Sequence, residues 1–385
     1  MLPSDTEMDR HGSGVLFVSH LAIDRPEQSE LSKLSKYAFQ DGTRFFCGTC
    51  GCHLFQTITV SSALASLAQS PGGSLAPAAL ADTHEIFVVA TGVITESPDE
   101  KVQIHMGRAP KDDTRDGGLE PWLPVAEMKG RTQKTEAKPP SESSFDSVSA
   151  ACGCGNVQLL VQRPQRLLGS DDFGRKGAEL PYSPYPDLMF PYKTTPKEKV
   201  DNPSHEKWFL RKTGEQSRYL AGTCACKSCR LVTGYEIQTW AFIPRVAISI
   251  CVSQKSASIR TELNPSTNNE AQATDSYITL EFEELANLPT GRNPLRSYES
   301  SPGVFREFCH VCGATVFWHS KVRPDLIDVS VGLLQASEGA RAESLLEWWR
   351  GRCSFAEDAG LDRKGWIKDW AESLIQGLEH GMKGE

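Results

Sequence analysis

The strongest constraint on this chain is the placement of its cysteines. Twelve occur in 385 residues, and seven fall in three tight groups: Cys152-x-Cys154, Cys224-x-Cys226-x2-Cys229 and Cys309-x2-Cys312. In a secreted chain such residues would suggest disulfides; in an intracellular chain the same clustering suggests metal. The spacings are too tight for three separate disulfide half-frameworks. A Cys-x2-Cys followed by glycine forms a knuckle that aims both sulfurs at one ion, because glycine permits the sharp turn. Phe308-Cys309-His310-Val311-Cys312-Gly313 has that form. One knuckle supplies two ligands, and Cys152-Gly153-Cys154-Gly155 is its natural partner. Together they make a closed site of four thiolates, structural in kind, tying the start of a domain to its end.

Cys224, Cys226 and Cys229 can hold a second ion but leave its fourth position free, the mark of a reactive zinc. Three thiolates on Zn²⁺ leave a net charge of about −1, which weakens its Lewis acidity towards water. A soft thiol would bind there as its thiolate, so thiol chemistry suits the site better than hydrolysis. Two plainer readings stand beside this one. All seven cysteines could be apolar core residues, or both ions could be structural, the second completed by another protein group. Cys251 and Cys353 stand alone and read as buried thiols.

Composition narrows the partners. The formal net charge is −8, unsuited to general nucleic-acid binding, which needs clustered Lys and Arg. The basic stretch at 129–138 lies in a Pro/Ser-rich segment and reads as solvated linker. No apolar run reaches the roughly 18 residues of a membrane span, and residues 1–14 lack the basic start and apolar core of a signal peptide. The expectation is a soluble, intracellular, cytoplasmic protein with no membrane partner.

The chain also repeats itself. Residues 46–55, FCGTCGCHLF, match residues 308–317, FCHVCGATVF, at a constant offset of 262. Downstream, EIFVVATGVI resembles DLIDVSVGLL at an offset of 240, and the 22-residue Ala/Ser/Pro/Gly-rich stretch at 61–82 accounts for the difference. The first copy has no cysteine before Cys47, so it reads as a C-terminal half-repeat. Cys47 and Cys50 form a knuckle without an evident partner pair, and Cys52 and His53 are too close to complete a relaxed tetrahedron.

Short segments rich in β-branched and aromatic residues predict strands, among them residues 45–60, 86–94, 156–163, 236–244, 247–253, 277–283 and 315–320. Residues 163–217 and 254–275 read as long polar connections, mobile or functional. The predicted organisation is a partial repeat over 10–127, a linker over 128–148, a complete zinc domain over 149–335 and a helical extension over 336–385. In that extension Trp366, Trp370, Leu374 and Leu378 recur every four residues beside Ile367 and Ile375, one apolar helix face. The Glu347-Trp348-Trp349 run reads as core or domain contact.

These motifs resemble the glutathione-dependent formaldehyde-activating (GFA) family, which includes centromere protein V. The resemblance rests on Cys152-Gly153-Cys154-Gly155, on Cys224, Cys226, Cys229, Arg230 and Gly234, and on Ser301, Gly303, Arg306, Phe308, Cys309, Cys312 and Gly313. It covers about residues 149–335, with a partial copy over about 10–125, where residues 116–119 and Trp122 look like the family's closing segment. It implies a mainly β, Mss4-like fold of zinc-bound domains in tandem with C-terminal α-helices. It also implies carbon–sulfur lyase chemistry, adding formaldehyde to glutathione to give S-(hydroxymethyl)glutathione. Carried over, Cys152, Cys154, Cys309 and Cys312 hold a structural zinc, and Cys224, Cys226 and Cys229 hold the zinc at the reaction centre. Ala225 stands where many members have His, and the 163–217 insertion could cover the pocket. Lys227 and Arg230 are candidates for receiving glutathione carboxylates, or are simply solvated. The alternative function is a noncatalytic, zinc-stabilised interaction or scaffold protein, using the half-repeat and the Trp-bearing tail.

Overall fold

The computed structural model describes residues 18–20, 22–23, 26–39, 42–59, 85–96, 105–107, 118–123, 146–169, 180–214, 216–252, 276–289, 291–339 and 341–384. It is mainly β, with one long helix at its C-terminal end. The strands are β1 Val18–His20, β2 Ala22–Ile23, β3 Ser35–Phe39, β4 Gly42–Phe46, β5 His53–Thr59, β6 Glu85–Val89 and β7 His105–Gly107, then β8 Ser147–Ala151, β9 Gln158–Gln162, β10 Leu210–Thr213 and β11 Gln216–Cys224. There follow β12 Gln238–Pro244, β13 Ile248–Val252, β14 Ser276–Thr279, β15 Leu295–Ser301, β16 Val304–Cys309, β17 Thr315–Ser320, β18 Arg323–Ser330 and β19 Leu346–Trp348. Two helices matter here: α1, Lys227–Thr233, and α2, Trp366–Gly384.

The repeat is visible as shared topology. The half-repeat sheet runs β2-β6-β5-β4-β3, and the large sheet contains the same path, β12-β18-β17-β16-β15. Register agrees too. Phe45 faces Phe55 and Phe46 faces His53, with a bulge between; Glu307 faces Phe317 and Phe308 faces Thr315, again with a bulge. Phe55 pairs with Val89 as Phe317 pairs with Val329. The large sheet continues through β11 to β10, and β19 adds to β11 in parallel. A separate sheet, β14-β13-β9-β8, carries the first cysteine pair at the end of β8.

The two copies meet knuckle to knuckle. A Cβ on Gly51 would lie 2.7 Å from Cγ of Phe308, and one on Gly313 would lie 2.7 Å from Cγ of Phe46. Both glycines have positive φ, 79° and 76°. Each is therefore required twice, by the turn and by the ring resting on it. Phe46 and Phe308 are each 1% exposed, and withdrawing such rings from water contributes about 2–3 kcal/mol apiece. Gly92 repeats the pattern against α1: its N–H donates to the Gly234 carbonyl at 2.8 Å, with no room for a side chain between them.

Several expectations change on contact with the fold. Ser147 and Val148, placed in the linker, are already in β8; residues 124–145 lie outside the described residues. The C-terminal extension is not helical throughout. Residues 346–348 form β19, and the helix begins only at Trp366. Its buried stripe is Ile367, Ala371, Leu374, Ile375, Leu378 and Met382, with Trp366 and Trp370 half-buried at its border. The 277–283 strand stops at Thr279, and Phe282 opens a short helix that buries Leu285. The 163–217 connection carries its own core: Tyr185, Leu188, Trp208 and Phe209 pack on Leu220, Phe242 and Leu326 of the large sheet. Leu119 and Trp122, the first copy's closing residues, sit in the main core, with Trp122 edge-on to Trp348 at 5.3 Å. No helix among the described residues is long and apolar enough to cross a membrane.

Candidate metal centres

The four-cysteine cluster is assembled from the ends of two hairpins. Cys152 follows β8, and its loop closes through Cys152 N–H to the Val157 carbonyl at 3.1 Å and Gly155 N–H to the Cys152 carbonyl at 3.0 Å. Cys309 ends β16. Its N–H donates to the Ala314 carbonyl at 2.8 Å, and Gly313 N–H returns to the Cys309 carbonyl at 2.9 Å. The sulfurs of Cys152, Cys154, Cys309 and Cys312 lie within 4.8 Å of one another. Cys152–Cys154 and Cys154–Cys309 are separated by 3.4 and 3.5 Å. Four thiolates about 2.3 Å from a common ion would stand about 3.8 Å apart, so the cluster fits a tetrahedral ion. Val157 N–H (3.3 Å) and the Asn156 amide (3.8 Å) donate to Cys152 and Cys309 sulfur, the outer support a thiolate site requires.

The three-cysteine cluster forms where β11 gives way to α1. Cys224 ends β11, Cys226 caps α1 by accepting the Cys229 N–H at 3.2 Å, and Cys229 lies in the first turn. Their sulfurs also lie within 4.8 Å of one another, and no fourth His, Cys, Asp or Glu joins the group among the described residues. Trp240, Trp318 and Phe355 pack around it. Phe355 comes from the C-terminal segment, held beside β11 by Ala225 N–H to the Ser354 carbonyl at 2.9 Å. It is fixed from the other side by the insertion: Phe355 N–H donates to Asp187 Oδ1 at 2.7 Å, and Tyr192 stands edge-on to its ring at 5.7 Å. The insertion thus lies along the rim of this centre.

Charge explains why these clusters suit a cation. The Cys229 thiol is held well below its ordinary pKa, chiefly by hydrogen bonds from Cys224 and Cys226 and also by the Arg306 guanidinium. The Cys224 thiol is pushed well above it by its hydrogen bonding with Cys226 and Cys229, then by burial. In the other cluster Cys152 is lowered by hydrogen bonds from Cys154, Cys309 and Cys312, while Cys312 is raised by those from Cys152, Cys154 and Cys309. Each buried group favours one negative charge and resists more. A divalent ion supplies the positive charge that would let every thiol ionise. Both groups are compatible with zinc.

Other sequence candidates fall elsewhere. Arg230 is 1% exposed and donates to the Gly92 and Leu361 carbonyls, so it fastens the half-repeat rather than receiving a ligand carboxylate. Lys227 is exposed and paired with Asp362. The half-repeat knuckle closes like its counterpart, with Cys47 N–H to Cys52 O at 2.8 Å and Gly51 N–H to Cys47 O at 2.9 Å. Its cysteines join no metal-competent group of three among the described residues. Cys52 is buried, its thiol directed at the His53 carbonyl. Cys251 and Cys353 are buried, as expected of apolar thiols. Sequence reasoning passed over Trp240, Trp318, Phe355 and Asp187, for which no local motif exists.

No known protein family, curated protein or solved structure matches this chain.

Proposed function

We propose that this protein is a zinc-dependent enzyme that adds a thiol to an aldehyde, a carbon–sulfur lyase of GFA type, with glutathione and formaldehyde as the leading pair. Under this reading the chain holds two zinc ions. Cys152, Cys154, Cys309 and Cys312 hold one, which closes the fold, and Cys224, Cys226 and Cys229 hold the other. The observation that carries the reading is the uneven pair: four sulfurs meet in one cluster and only three in the other, with no further ligand side chain among the described residues.

When bound at the three cysteines, zinc supplies a position at which a thiol binds as its thiolate. The chain's own residues do the rest. Trp240, Trp318 and Phe355 limit water around the cysteines, and Asp187 and Tyr192 hold Phe355 in place. The dominant rate contribution is proximity, because formaldehyde is already a reactive electrophile. The half-exposed Lys227 remains a candidate for a substrate carboxylate.

The test combines metal analysis with adduct formation. Wild-type protein should contain two zincs per chain and accelerate S-(hydroxymethyl)glutathione formation; Cys226→Ser should contain one zinc and lose that acceleration. Unchanged turnover in Cys226→Ser would remove the catalytic role and leave a zinc-stabilised scaffold.

A further inference from the structure

Arg306 lies on β16 three residues before Cys309, so one strand serves both centres. It is 2% exposed. Its Nη2 donates to Ser228 Oγ at 3.0 Å and approaches Cys229 Sγ at 3.5 Å. Among the described residues, its Nε and Nη1 are buried with no hydrogen-bond partner. Unmet buried donors are costly, and a charged one more so. A further sulfur bound beside Cys229 would stand about 3.8 Å from its Sγ, and Arg306 is the cation in contact with that same Sγ.

The half-repeat provides an internal control. Tyr37 faces Arg44 as Tyr298 faces Arg306, and Arg44 is equally buried at 2%. The residue across the next strand differs. Gln56 faces Arg44, and its Oε1 accepts from Arg44 Nε at 3.4 Å. Trp318 faces Arg306, and an indole accepts no such bond. Where the cysteine triplet is present, the arginine's cross-strand acceptor is missing and its charge lies against sulfur.

We infer that the three-cysteine centre stabilises a negatively charged oxygen close to a bound sulfur, in the reaction the alkoxide of the adduct, and that Arg306 is the catalytic residue binding that oxygen; a small thiol with a carboxylate beside its sulfur mimics it. The inference rests on the proposed reading of this centre as a thiol site. In the addition reaction the thiol first gives up its proton. A sulfur electron pair then forms the S–C bond as the carbonyl π pair moves onto oxygen. The alkoxide accepts a hydrogen bond from one of the unmet N–H groups of Arg306, and then takes a proton from solvent equivalent to the one the thiol released. Thiol and aldehyde are thus conserved in the adduct, and donors preset for developing charge are the most effective means of stabilising it.

The experiment is a binding measurement on the zinc-loaded protein with two small thiols, mercaptoacetate and ethanethiol, followed by calorimetry. The chain's net charge of −8 disfavours the anion in general, so a preference for it reports a local cation. Wild type should bind mercaptoacetate at least about tenfold more tightly than ethanethiol, a difference of about 1.4 kcal/mol. Arg306→Met should retain two zincs and ethanethiol affinity within about threefold, and lose the preference. Arg306→Lys, which keeps the charge without the planar donors, should keep no more than about a third of it, and carries the test where Arg306→Met does not fold. A preference that survives in either variant to its full extent, or no preference in wild type, overturns the inference. So does equal weakening of both thiols, the signature of a purely structural arginine. A preference in a protein that forms no formaldehyde adduct would keep the anion-binding role and remove the lyase reading.

Discussion

The knuckles at Cys47–Cys50 and Cys309–Cys312 close with the same two hydrogen bonds at the same lengths, 2.8 and 2.9 Å. Their glycines have nearly the same φ, and the strands leading into them carry the same bulge. Yet only the second meets another cysteine pair among the described residues. The difference teaches that backbone and metal site are specified separately. A glycine in the left-handed region and a bulged hairpin build the turn from local sequence alone. Ligation depends on topology, because β8 must deliver Cys152 and Cys154 from a different sheet.

The largest expected effect breaks the comparison at its root. Cys312→Ser should release one zinc and lower the melting temperature by more than about 15 °C, since structural zinc carries about 10 kcal/mol or more of folding free energy in small domains. Metal analysis and calorimetry on the same sample would show it. Next in size is the clamp between the copies. Arg363 makes a two-pronged pair with Glu236 at 2.9 and 3.0 Å, both nearly inaccessible, and also donates to the Thr91 carbonyl. Arg363→Met should destabilise the chain by about 3–5 kcal/mol, because Glu236 is left buried without its cation. Proteolysis should then cut the half-repeat before the complete domain.

A third test uses acidity. His53 lies at the junction, beside Phe46 and Tyr235, and burial lowers its pKa to about 3. The unfolded chain therefore takes up a proton below its ordinary value of 6.5 that the native state refuses. Stability contributed by this residue is fully present above pH 6.5 and is lost as pH falls towards 3. By pH 4 the loss is about 3 kcal/mol. His53→Thr, which installs the residue found at the matching position 315, should flatten that part of the pH–stability slope relative to wild type. The smallest effect is the sharpest contrast: Cys50→Ser, in the knuckle matching Cys312, should change zinc content by nothing and melting temperature by less than about 3 °C. A shift as large as that of Cys312→Ser would mean the first knuckle also holds metal.

Much of this architecture was legible before any coordinates. The offset of 262 between the knuckles reappears as shared strand register, because hairpin pairing depends on local side-chain alternation. The convergence of Cys152 and Cys154 on Cys309 and Cys312 followed from ligand arithmetic alone. What could not be read was long-range. Three residues of β19 pair in parallel with β11 across more than a hundred positions, and so short a strand has no periodicity to detect. Arg230 looked like an exposed loop cation because its burial depends on Gly92 of the other copy. The apolar face of α2 was legible at Ile367, Leu374, Ile375 and Leu378, all buried; Ala371 and Met382 also face inward, while Trp366 and Trp370 are only half-buried, because large tryptophans dominate a hydrophobic pattern even at the border of a packed face.

The pairing of Ser354 with the end of β11 has a consequence for biosynthesis. Cys224, Cys226 and Cys229 leave the ribosome about 130 residues before the segment that encloses them. During that interval three ionisable sulfurs stand without Phe355 over them, open to metal delivery and to oxidation alike. Metal availability while the chain is still being made would then decide how much of it matures correctly.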